Sequence, residues 1–366
     1  MARGIEIGAQ QRAVAGGWAR LRLGGQLGML VGVLVIVVIL ATSIGAVHIS
    51  FWHTAAIFLN ATQLFHFRAD WADTTPRILF ELRLPRVLAA LLVGAALGTA
   101  GTLFQGLLRN PLADPFLLGT SSGAALGATA GFMIPGLLTI AWLGFSIIAV
   151  LAFVGALVAV VVVYRLATRG GQTPVVTLLL AGVAVGAMVT AVQTLIITFG
   201  AHTNTQLAAL YGWLTGEITV NSWAQIPIEA VLIGLGLVAA FALTPTLDAL
   251  ALGEEMAGHL GIRIERSKLL IVGVAALLVA LAVAMSGLVG FVGLVAPHVC
   301  RLLFGPKHRL LLPASALFGA IFVVLADLVA RSIAAPIEIP LGVVTALVGG
   351  PFFLALLGRA GVYYRW

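Results

Sequence analysis

The chain has 366 residues, of which 61% are hydrophobic and only 9% charged, whereas a water-soluble domain carries about 25% charged residues. With too little polar surface to cover itself it must be solvated largely by lipid, and its net charge of +7 then sits in short loops and sets orientation; it does not mark a nucleic-acid binder. One cysteine, Cys300, excludes an intramolecular disulfide.

In hydrocarbon every backbone amide must be satisfied within the protein, so runs of ~20 apolar residues are read as helices. A barrel would alternate over ~10-residue strands, and these runs are continuous. Residues 1–26, with Arg3, Arg12, Arg20 and Arg22, are expected to form a cytoplasmic N-terminal segment, and 27–366 a single transmembrane domain. The first apolar run, 27–47, is too long for a signal-peptide core and lacks a clear cleavage site, so it is an uncleaved helix. Residues 48–85 hold Phe51, Trp52, Phe58, Phe65, Phe67 and Trp71, a density suited to the membrane interface. Helices follow at about 87–107, 115–134, 139–164, 174–199, 224–244, 269–286, 288–303, 310–331 and 341–358, which makes about ten. The run 269–303 is divided at Gly287, Gly290 and Gly293. A short outer helix is expected around Leu207–Leu214, and 245–268 is the one inner loop large enough for structure of its own.

With the N-terminus inside and each helix crossing once, 15 of the 20 basic residues fall on the cytoplasmic side and 5 outside, as the positive-inside rule requires. Small-xxx-small spacing at Gly94/Gly98, Gly123/Gly127/Gly131 and Gly182/Gly186 permits close helix contact. The run after Arg86, LLVGAALGTAG, loosely matches LLVALAVAMSG after Lys268 in opposite predicted orientation, the mark of an inverted repeat.

Enzyme signatures are missing: there is no GxxxxGK[ST], HExxH, CxxC or GxSxG. Membrane carboxylates are few, and Asp327 and Glu229 are expected near helix ends, within reach of water or a partner. An ion-coupled carrier needs ionisable groups near the midplane, so the driving energy is expected from another subunit. A secondary carrier with its own ion coupling and a membrane enzyme are the rival readings.

The stretch RLPRVLAALLVGAALGTAGTLFQGLLRNPLADPFLLGTSSGAALG (83–127) resembles the signature of the FecCD-type permeases, the membrane subunits of ABC importers for ferric siderophores, haem and vitamin B12. LGEEMAGHLGI (252–262) resembles that family's cytoplasmic coupling segment, and 286–331 and 338–357 resemble its C-terminal half. The resemblance implies an all-α integral membrane fold of ten helices, the inverted-repeat-like type II importer permease. It also implies a homodimer, two cytoplasmic ABC ATPase subunits that bind the ATP and Mg, and a periplasmic substrate-binding protein. The chain itself then holds no cofactor and no metal, and is no enzyme. Its expected place is the bacterial inner membrane, with both termini cytoplasmic.

Pro111 and Pro115 prevent a continuous helix through RNPLADP (109–115). By resemblance, Asn110 and Leu112 belong to the cytoplasmic gate with Gln172 and Thr173 of the next inner loop. Gly253, Glu254, Glu255, Ala257, Leu260 and Gly261 are assigned to ATPase coupling: small residues allow close approach, and acids near a helix N-terminus are favoured by ~0.3–1 kcal/mol. Arg83, Arg86 and Arg331 break the positive-inside trend and match the family's docking arginines, whose forks pair bidentately with carboxylates. His298 is expected to be structural. The outer histidines His48, His53, His66 and His202 tilt the expected cargo towards haem, with ferric siderophore next and cobalamin as the alternative. Helix five, helix ten and the short outer helix are expected to line the path.

Overall fold

The computed structural model describes residues 24–363, apart from 46, 48, 135, 138, 139, 143, 201 and 202. Among them, eight helices are long and apolar enough to cross a membrane. They are α1 (Gly24–Ser43), α3 (Thr74–Leu108), α5 (Ile147–Ala167), α6 (Val175–Gly200), α8 (Gln225–Ala242), α11 (Ile264–Ser286), α13 (His308–Ser332) and α14 (Leu341–Tyr363, of which Leu341–Gly358 is the span). Two shorter helices, α4 (Thr120–Met133) and α12 (Val292–Phe304), complete the ten expected membrane segments. Smaller helices sit at the ends: α2 (Phe51–Ala61), α7 (Asn204–Leu214), α9 (Thr244–Leu250) and α10 (Glu254–His259). A two-stranded hairpin, β1 (Ala141–Trp142) and β2 (Phe145–Ser146), leads into α5.

Three boundaries differ from expectation. Helix α3 begins at Thr74 instead of 87, because a π-helical turn, Ile78–Arg83, carries it through the charged stretch read as loop. The run expected to start at 115 is a 3-10 turn, Pro115–Leu118, closed by Gly119 at φ +79° before α4 begins. The third starts at Ile147 instead of 139, after the hairpin. The long apolar stretch does break where the glycines cluster: α11 stops at Gly287 (φ +61°), and Phe291, also at positive φ (+67°), caps α12.

The most buried spans are α3, α11 and α13. α3 packs against both α11 and α13, so the two segments of the weak internal match lie side by side in the core. Close approach explains the small-residue spacing. A methyl at Gly94 would overlap the Gly319 carbonyl of α13, and one at Gly123 would overlap the Gly155 carbonyl of α5, so these crossings admit only glycine. At the other extreme α1, α6 and α14 are the least buried, and their outer faces carry exposed Ile36, Val176, Leu180, Met188, Leu347 and Leu354. Such surface belongs against lipid or another subunit.

Candidate functional site

Polar side chains collect at the two ends of the bundle. One, called the basic end here, holds the loops around 109–115, 168–174, 251–263 and 305–307. The other, the aromatic end, holds residues 44–73, 200–224 and 333–340.

At the basic end α3 terminates with Arg109 in the left-handed conformation (φ +48°), while Asn110 N–H donates to the Gln105 carbonyl (3.2 Å). The chain then turns through two side-chain caps. Leu112 N–H donates to Asn110 Oδ1 (2.9 Å), and Phe116 N–H donates to Asp114 Oδ1 (2.8 Å), opening the 3-10 turn. These bonds replace helix hydrogen bonds that Pro111 and Pro115 cannot make. Burial pushes the Asp114 carboxyl up to about 6, opposed only by the Phe116 amide. Asn110 is exposed and Leu112 half-buried. On the second loop Gln172 is exposed, but Thr173 is buried. Its hydroxyl is spent on Thr168 (2.9 Å), its N–H donates to Glu265 Oε2 (2.9 Å), and its carbonyl accepts from Lys268 Nζ (3.1 Å). Thr173, expected at the gate with Gln172, thus has its backbone clamped at the start of α6.

The expected coupling residues form α10, a helix of one and a half turns between two glycines at positive φ, Gly253 (+110°) and Gly261 (+83°). Only glycine adopts these without strain. Ala257 is buried against the bundle, while Glu255 and Leu260 face outward. Glu254 turns back to Lys268 (2.8 Å). The sequence reading overlooked Leu252 and Met256. With Leu260 they recur every four residues and are 67%, 51% and 61% exposed, an apolar stripe on a polar loop. The available signal was three large apolar side chains in an otherwise polar loop. Lys268 was also overlooked, counted only as one loop charge. It is 4% exposed and bonded to both Glu254 and Glu265.

The aromatic end is organised by its arginines. Arg83 is buried and donates to the carbonyls of Thr42 (2.9 Å), Ser43 (2.7 Å) and Val47. Arg331 donates to Ile44 (2.9 Å) and Ala41 carbonyls. Together they satisfy the orphan carbonyls at the end of α1. The expectation that Arg83 and Arg331 offer free forks to a docking protein is corrected: both are committed within the chain. Arg86, a quarter exposed, pairs with Asp327 (2.9 Å) and with the half-exposed Glu338 (2.9 Å). A cavity of about 400 Å³ opens among Arg83, Arg86, Arg331 and Glu338. Asp327 is 1% exposed between Arg86 and Arg331, and Glu229 is equally buried beside Gln225. Both carboxylates were expected to be reachable near helix ends; burial in the bundle overturns that.

Helix α7 covers the predicted outer helix, capped by Thr203. Its end is tied to α14, since Leu341 N–H donates to Gly216 (2.8 Å) and Gly342 N–H to Thr215 (3.0 Å). His298 packs edge-on against Phe352 of α14 (5.7 Å). His53 pairs with Asp70 (3.2 Å) and His66 is exposed; His48 and His202 lie outside the described residues. Among the described residues no group of three or more His, Cys, Asp or Glu is placed to hold a metal.

A helical bundle with apolar flanks and eight helices long enough to cross a membrane among the described residues, with loops shaped by glycine and proline at one mouth, has the architecture of a membrane-embedded protein. The FecCD transport family matches residues 33–359, and the chain belongs to it. It is 41% identical over 285 residues to the cobalamin import system permease protein BtuC of Halobacterium salinarum, covering 78% of this chain and 74% of that one. It is 38% identical over 340 residues to the hemin transport system permease protein HmuU of Yersinia pestis, covering 91% and 95%. Among solved structures it resembles an inward-facing metal-chelate type ABC transporter, with TM-score 0.78 and 29% identity over 92% of this chain and 99% of that one. The chain is thus an ABC transporter permease of the iron-chelate, haem, siderophore and B12 group, a transport subunit whose ATPase is a separate protein.

Proposed function

We propose that two copies of this chain form the channel of an importer that carries an iron-bearing chelate, haem before ferric siderophore, from a periplasmic binding protein into the cytoplasm. Two ABC ATPase subunits supply ATP and Mg at the basic end, and this chain binds no cofactor. The protein lies in the inner membrane with both termini cytoplasmic, an orientation supported by the basic bias of its inner loops. The exposed apolar faces of α6 and α14, with α7 above them, line the path and meet the second copy. The single observation carrying this reading is α10, a short helix set between two glycines that bears the exposed Met256, with Leu252 and Leu260 exposed at its two ends, beside the Asn110 and Gln172 loops of the basic end. A free apolar ridge on the polar end of a membrane protein calls for a soluble partner. Glu255 and Gly261 complete that contact, and Glu254 ties it back to Lys268. The binding protein is received at the opposite end, where Arg86 and Glu338 present the charged surface and Arg83 and Arg331 hold it in shape.

Ion coupling is poorly supported by the same geometry, because the buried Asp327 is paired with two arginines. Cobalamin is the alternative cargo, favoured by the likeness to a cobalamin permease. The test is ATP-driven uptake of labelled haem, ferric siderophore and cobalamin in proteoliposomes holding the permease, its ATPase and its binding protein. Haem should accumulate only with ATP and both partners. Uptake by the permease alone would overturn the reading, and preferential uptake of cobalamin would replace the cargo.

A further inference from the structure

At the basic end Lys268 ties α10 and the segment before α6 to its own helix, α11. It lies in the second turn of α11 and its ammonium is withdrawn from solvent. The nitrogen lies 2.8 Å from Glu254 Oε2 on α10, 3.1 Å from Glu265 Oε1 on its own helix, and 3.1 Å from the Thr173 carbonyl just before α6. Glu265 closes the figure, because its other oxygen accepts the Thr173 N–H at 2.9 Å. Both backbone polar groups of Thr173 are therefore held by side chains of α11, and α10 is tied to the same ammonium. All three donor protons of Lys268 are used.

Such an arrangement is costly to assemble and costly to break. A buried cation is retained only when its partners are complete, so the ammonium, two carboxylates and the Thr173 carbonyl move together or come apart together. Elsewhere α10 is held to the bundle through the buried Ala257 and set off by glycines at positive φ on both sides, while its outer face is free. Helix α6 begins two residues after Thr173, so the hold on Thr173 fixes where that span starts. The short helix α10 and the start of α6 thus meet at one charged pin.

We propose that Lys268 is a positioning residue that transmits displacement of α10 to the start of α6, so that the ATPase contact and the inner mouth respond as a unit. This rests on the reading of α10 as the ATPase contact. Lys268 touches neither cargo nor ATPase; it acts through Thr173 and Glu254. Because the links are two ion pairs with partly exposed carboxylates and two hydrogen bonds to the Thr173 backbone, the fold can survive their loss while the coordination between the two segments does not.

The experiment uses the whole complex with ATPase and binding protein in lipid nanodiscs and proteoliposomes. Spin labels at Leu252 and at Gln172 are each paired with one at Leu302, all exposed positions. In the wild type both distances should shift between the nucleotide-free and vanadate-trapped states. In Lys268→Met the Leu252 distance should still shift while the Gln172 distance stays fixed, and cargo moved per ATP hydrolysed should fall at least about tenfold. Glu254→Gln leaves Lys268, Glu265 and Thr173 in place and weakens only the link to α10, so it should give a smaller loss in the same direction and supplies the test should Lys268→Met fail to fold. Unchanged transport per ATP, or a Gln172 label that still follows, in whichever variant folds, overturns the proposal. Met256→Cys separates the two readings. If it cross-links to the ATPase and Lys268→Met remains coupled, only the role of Lys268 falls; if it fails to cross-link, the ATPase contact falls and the role of Lys268 with it.

Discussion

The two ends of the bundle use similar charged groups in opposite ways. At the aromatic end three arginines turn inward: Arg83 and Arg331 close the carbonyl end of α1, and Asp327 holds Arg86 and Arg331 from within. At the basic end one cation, Lys268, gathers two carboxylates and a backbone carbonyl belonging to α10, α11 and the start of α6, while Leu252, Met256 and Leu260 remain uncovered. The first network ties down long helices; the second joins short parts. Charges that look alike in a hydropathy plot thus serve rigidity at one mouth and linkage at the other.

Removing charges from the two ends should therefore have unequal consequences. The largest loss is expected for Asp327→Ala, which leaves Arg86 and Arg331 facing each other without their shared carboxylate, at a cost of about 3–5 kcal/mol for a broken buried pair. Thermal unfolding in detergent should show it, and a stability within 1 °C of wild type would mean that the network is ornamental. Arg83→Ala should cost less, about 1.5–3 kcal/mol, as hydrogen bonds from a charged donor are lost and the α1 carbonyls are left to water. Faster hydrogen exchange confined to residues 41–47 would identify that cause. The comparison predicts no such local opening for Glu255→Ala.

A pH experiment sharpens the basic end. The Asp114 carboxyl titrates at about 6 in the fold against an ordinary 3.8. The folded state thus holds its proton more tightly than the unfolded chain, and the contribution of Asp114 to stability falls as pH rises from about 4 to about 6, then stays flat. Asp114→Asn keeps an acceptor for the Phe116 N–H and removes that fall. Relative to wild type it should therefore gain stability between pH 4 and pH 7.5, read as the difference in unfolding midpoints. The smallest effect on stability belongs to Met256→Glu, a substitution on an exposed ridge expected to change unfolding by less than about 0.5 kcal/mol. It should nonetheless abolish co-purification with the ATPase. A variant that keeps the ATPase would remove the functional half of the contrast.

Much of the architecture could be read before any coordinates. The break at Gly287, the turn at Pro111–Pro115 and the short helix at Asn204–Leu214 all follow from local signals: positive-φ glycine, missing amide donors, and an apolar run too short to span. The early start of α3 was hidden because Arg77, Glu81 and Arg83 look like a loop, and only the α1 carbonyls make Arg83 tolerable inside a helix. Thr173 looked like a free polar residue for the same reason, since the groups that hold its backbone come from a distant helix.

Composition, run length and the distribution of basic residues suffice to establish a lipid-solvated helical bundle, its approximate number of crossings and which loops share a face, because hydropathy acts over one helix at a time. The roles of the charges were settled only by folding. Arg83 meets Thr42 at a separation of 41 residues, Lys268 meets Thr173 at 95 and Arg86 meets Glu338 at 252. Whether a buried charge braces a helix, links two segments or remains free for a partner depends on which groups packing brings within 3 Å of it, and no neighbouring stretch of chain carries that information.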